Sequence, residues 1–66
     1  MKTEEFTSAK SRSVFTVAGE EDRAYLSVSG EASNNAKVQK EVLRIRREGG
    51  DFKTVSYVAR QLSHTF

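Results

Sequence analysis

The sequence predicts an α+β fold: a two-stranded antiparallel β-hairpin followed by two helices joined at Gly49-Gly50, in the order ββαα. Three observations carry this. Apolar residues alternate before Gly30 and recur at helical spacing after it. The Gly49-Gly50 pair divides the helical stretch in two. The chain has 66 residues and no Cys, and a domain of this length buries only about 60% of its unfolded surface. With no disulfide and a single His, neither a covalent staple nor a structural zinc site is available. Stability then rests on local propensity or on a second subunit, and a homodimer is expected.

Residues 1–12, MKTEEFTSAKSR, lack periodicity and read as a flexible N-terminal arm, with 13–66 forming one small domain. SVFTVA alternates as a strand, with Phe15 and Val17 on one face. GEED supplies a turn, and RAYLSVSG alternates again, placing Ala24, Leu26 and Val28 opposite Arg23, Tyr25 and Ser27. A lone hairpin is not stable in water, so its apolar face needs a cover.

The helices supply that cover. GEASNN reads as a loop in which Ser33 or Asn34 caps the first helix, expected over 34–48. Val38, Val42 and Ile45 share one face of it. The two glycines end it, and Asp51 caps the second helix, expected over 51–64. There Phe52, Val55, Val58, Ala59, Leu62 and Phe66 form an apolar stripe. Of these residues, Phe15, Val17, Leu26, Val28, Val38, Val42, Ile45, Phe52, Val55, Val58, Ala59 and Leu62 are the expected core.

Charge is unevenly distributed. Residues 1–33 hold four basic and six acidic side chains, whereas residues 34–66 hold seven and three. A local field acts on a partner more than a net total does. Lys37, Lys40, Arg44 and Arg47 fall on the side of the first helix away from its apolar stripe, as Lys53, Tyr57, Arg60 and His64 do on the second. Solvated helix faces are commonly basic, and cations late in a helix favour its dipole. A row of four cations with no acid among them is also what a phosphate backbone needs.

Other chemistry fails on pattern. Glu20, Glu21 and Asp22 cluster in a turn without a second ligand set, so no metal is expected. His64 has no positioned nucleophile or orienting carboxylate. Gly49-Gly50 is not a phosphate loop, because no Lys-Ser or Lys-Thr follows it at the offset such a loop needs. No cofactor is implied, and the chain reads as a non-enzyme. No apolar run approaches a signal-peptide core or a membrane span, and the lack of Cys fits a cytoplasmic location.

The succession RAYLSVSG, KVQKEVLRIRREGG, DFKTVSYVARQLSHTF resembles a ribbon-helix-helix DNA-binding domain across residues 23–66. In that family two chains pair their strands into a ribbon that enters the DNA major groove, which admits such a ribbon. The resemblance implies that Arg23, Tyr25 and Ser27 read bases, and that amides near Phe52 and Lys53 hold a phosphate. SVFTV is a strand with no counterpart in the family, GEASNN is longer than its usual connection, and Asp51 would repel the phosphate. EGGDFKTVSYVARQL also resembles the first half of a transposase-type helix-turn-helix, with no recognition helix after it. Two functions are therefore carried forward. One is a small nucleic-acid-binding, repressor-like regulator, for DNA before RNA, using Arg23, Tyr25, Ser27, Lys37, Lys40, Arg44, Arg47, Lys53 and Arg60. The other is a protein-binding inhibitor or adaptor, of the kind phages and plasmids encode, anchored by residues such as Phe6, Tyr57 and Phe66.

Overall fold

Three antiparallel strands, not two, precede the helices. The computed structural model describes residues 1–66, with β1 Lys2–Ser8, β2 Ser13–Glu20, β3 Arg23–Ser29, a short 3-10 turn Glu31–Asn34, α1 Ala36–Glu48 and α2 Phe52–Thr65. The sheet order is β1-β2-β3. The expected hairpin is β2–β3, closed by the Glu20–Arg23 pair. The expected flexible arm is corrected: its first part is the edge strand β1, in register with β2 from Lys2–Gly19 to Ser8–Ser13.

Strand β1 is inconspicuous in sequence because of where it lies. Its inward positions are Lys2, Glu4, Phe6 and Ser8, in register with the inward residues of β2. At the edge these groups reach past the core. The Lys2 ammonium donates to Glu21 at 2.9 Å and lies 5.8 Å from the centre of the Phe52 ring. That hydrogen bond holds the Glu21 carboxyl below its ordinary pKa. Charged inward residues also discourage a foreign strand from adding to an edge. Phe6, half-buried, is the one apolar side chain of β1 that packs against the core, and Ser8 beyond it is fully buried.

Both helices lie over the inward face of the sheet, α2 on β2 and α1 along β3. The buried apolar set is Phe15, Val17, Ala24, Leu26, Ala32, Val38, Val42, Ile45, Val55, Ala59 and Leu62. Val28, Phe52 and Val58, expected in the core, are half-buried at its margin, and Ala24 and Ala32 take central places. Small side chains there let the 3-10 turn and the start of β3 approach closely. Two buried serines are satisfied locally: Ser13 Oγ accepts from the Ala32 N–H at 2.8 Å, and Ser11 Oγ bridges Ser8 and Ser13.

The first helix cap is Asn35, one residue beyond the expected candidates, because Glu31–Asn34 form the 3-10 turn. Asn35 Oδ1 accepts from Lys37 N–H at 2.9 Å and Val38 N–H at 3.3 Å. Asn35→Ala should cost about 1 kcal/mol of stability, read from urea denaturation. Asp51 caps α2 as expected, accepting from Thr54 N–H at 3.1 Å. The Thr54 hydrogen bonds lower the Asp51 pKa and keep its carboxylate charged at the helix start.

Candidate nucleic-acid interface

The alternation of β3 sends Arg23, Tyr25 and Ser27 to the sheet face away from the helices, all three exposed. In antiparallel pairing the closing Glu20–Arg23 pair and every second pair after it exchange hydrogen bonds. The backbone groups of Ala24, Leu26 and Val28 therefore point outward from the β3 edge. The Ala24 N–H is met there by the Gly50 carbonyl at 2.9 Å, and the Phe52 N–H donates to the Glu21 carbonyl at 3.0 Å. These two bonds fasten the helix joint to the β2–β3 turn.

That fastening brings the end of α1 beside the start of β3. Gly49, at φ 79°, ends the helix while its N–H still bonds the Ile45 carbonyl at 2.7 Å. Arg46 and Arg47, in the last turn of α1, then share a cleft of about 340 Å³ with Arg23 and Tyr25. Asp22 and Glu48 also line it, leaving three guanidinium groups against two carboxylates. None of the three guanidinium groups is ion-paired within the chain. The Tyr25 side chain stands among them, 52% exposed. Exposed aromatic faces flanked by cations stack bases and attract phosphate together.

The structure separates the other sequence-predicted residues. Ser27 continues the exposed face of β3 beyond the cleft. Lys37 and Lys40 border a groove between the two helices. Lys53 and Arg60 lie along the α2–β1 seam with Glu4, Phe6 and Tyr57. The expectation of an acid-free row on α1 is corrected, because Arg44 is held by Glu41 at 2.8 Å. Glu41 sits three residues earlier, within reach on the helix surface; the hydrogen bond raises the Arg44 pKa and occupies its charge locally.

Of the two amides that the resemblance assigns to a phosphate at the start of α2, the one at Phe52 is engaged within the chain. The Phe52 N–H serves the Glu21 carbonyl and the Thr54 N–H serves Asp51. Arg46 escaped sequence reasoning because it stands beside the apolar stripe of α1, not opposite it. Its only sequence signal is the Arg46-Arg47 doublet next to the glycines.

No helix is long and apolar enough to cross a membrane, and no group of acidic or imidazole side chains is arranged to hold a metal ion. No family model, curated protein or solved structure matches the chain.

Proposed function

We propose that the protein is a small nucleic-acid-binding regulator that engages DNA at the cleft of Arg23, Tyr25, Arg46 and Arg47. One observation carries the reading: three unpaired arginines line one cleft with an exposed tyrosine. Arginine presents a fork of donors that matches phosphate oxygens and base edges. The polar face of β3, Ser27 included, extends the contact along the strand. Lys37, Lys40, Lys53 and Arg60 add long-range attraction for a polyanion from the helical layer. A repressor-like homodimer belongs to the same proposal. The Leu26 and Val28 amides have no backbone partner at the β3 edge, and pairing there with a second copy would join two clefts on one sheet. Sedimentation at high micromolar concentration checks that part, with a monomer overturning it.

Binding is tested by anisotropy titration of labelled duplex and single-stranded DNA, with RNA as competitor, across a salt series. Each phosphate contact contributes about 0.9 to the logarithmic salt slope on B-form DNA. The double change Arg46→Gln, Arg47→Gln should lower that slope by about two units. Tyr25→Ala should weaken single-strand binding by about 1–3 kcal/mol and leave the salt slope nearly unchanged. Absence of binding to any of these nucleic acids at low salt overturns the reading.

A further inference from the structure

A groove of about 440 Å³ runs between α1 and α2 on the side away from the sheet. It exists because α1 spends its whole apolar stripe, Val38, Val42 and Ile45, on the sheet. Toward α2 it presents Lys37, Lys40 and Glu41 instead. Nothing apolar from α1 fills the space over Val58 and Leu62. Val58 and Phe66 are left half-exposed, and Tyr57 at the rim is 66% exposed. The groove is thus apolar at its floor and cationic along one wall.

Charge decides the occupant. Glu41 is already engaged by Arg44, while Lys37 and Lys40 have no ion-pair partner. Helix α2 contains Lys53, Arg60 and His64 and not one acidic residue. A two-fold pairing of this groove with itself would set its lysines against a neutral or cationic helix, so that symmetric self-association finds no counter-charge. A nucleic acid satisfies the lysines and finds a ring to stack on at Tyr57, but leaves Val58 and Leu62 at the floor without an apolar partner. An amphipathic helix with an apolar stripe flanked by Glu or Asp satisfies both. On α2 the groove runs from Tyr57 to Phe66, about 15 Å at about 1.5 Å per residue, which matches between about two and three turns of such a helix.

We propose that the α1–α2 groove docks an acidic amphipathic helix of a partner protein. The surface is separate from the Arg23–Tyr25 cleft; Lys37 and Lys40, there only a source of long-range attraction, are direct contacts here, so failure of one proposal leaves the other standing. The probe is a synthetic helical peptide with Leu at i, i+3, i+4 and i+7 and Glu on the flanks. Its twin carries Lys in place of every Glu. Amide and methyl NMR shifts should move at Lys40, Tyr57, Val58 and Leu62 with the Glu peptide and not with the Lys peptide. The double change Lys37→Glu, Lys40→Glu removes two exposed lysines without touching the core, and should reverse the preference by at least about tenfold, or ~1.4 kcal/mol. Equal binding of the two peptides, shifts confined to another surface, or no groove shifts at about 1 mM peptide would overturn the proposal. Groove shifts that depend on protein concentration alone would assign the surface to a second copy and equally defeat it.

Discussion

Phe15→Ala should lower the unfolding free energy by about 3–5 kcal/mol, the range for emptying a fully buried aromatic site. Phe15 has no solvent exposure and lies on the central strand, between Phe6 of β1 and Val28 of β3. Its ring is the largest fully buried side chain of the domain. Strands on both sides hold the backbone in register, which limits collapse around the vacated volume. At roughly 0.05–0.15 kcal/mol per residue, a domain of this size has about 3–10 kcal/mol of stability. The variant should therefore be largely unfolded, or close to it, before any denaturant is added. Far-UV circular dichroism across a urea series measures this. Thr16→Ala, next along β2 and facing outward, should stay within about 0.5 kcal/mol of the parent. Parity between the two variants would show that the inward face of β2 is not the core.

Gly30→Ala should be the most damaging glycine substitution at a joint, and more damaging than Gly49→Ala. Gly30 stands between β3 and the 3-10 turn at φ 94°, ψ −161°. A side chain in that region costs about 1–3 kcal/mol. Its Cβ would also lie 2.6 Å from the Arg12 carbonyl oxygen and 2.9 Å from Ser13 Cα. Both are backbone atoms, so the β1–β2 turn must shift. That shift disturbs the Ser13 Oγ bond to the buried Ala32 N–H, adding a cost of about 1–3 kcal/mol. Gly49 has a similar backbone, φ 79° and ψ −171°, but a Cβ added there would meet nothing within 4 Å. Gly49→Ala should thus show the conformational cost alone. Paired thermal and urea denaturation separates the cases, and equal losses would remove the steric part of the argument.

Much of the fold was legible because local and global preferences agree. The period change at Gly30 marks the passage from sheet to helices, and the Val38–Val42–Ile45 stripe is buried as its spacing requires. Asp51 was legible as a cap because a short acidic side chain before an amphipathic run can reach the free N–H groups. Strand β1 was not legible. An edge strand needs little apolar surface, and KTEEFTS satisfies its inward charges with Glu21 and Ser56, residues far away in sequence. The Asn35 cap was displaced by one position because EASN closes a 3-10 turn, with the Asn35 N–H bonding the Ala32 carbonyl at 3.0 Å.

The candidate site divides in the same way. Sequence alone determined that Arg23, Tyr25 and Ser27 share the exposed face of a strand, since alternation is a property of the backbone. It also determined that α1 and α2 each turn cations to solvent. Only the tertiary structure decided which charges meet. The Ala24–Gly50 and Phe52–Glu21 backbone bonds carry the end of α1 to the β2–β3 turn, placing Arg46 and Arg47 beside Arg23 and Tyr25. The same docking leaves Lys37 and Lys40 over an unfilled groove and lets Glu41 claim Arg44. Helical periodicity sets which side of a helix a residue occupies. What lies opposite that side depends on contacts between segments distant in the chain, and those follow from how two helices divide one sheet between them.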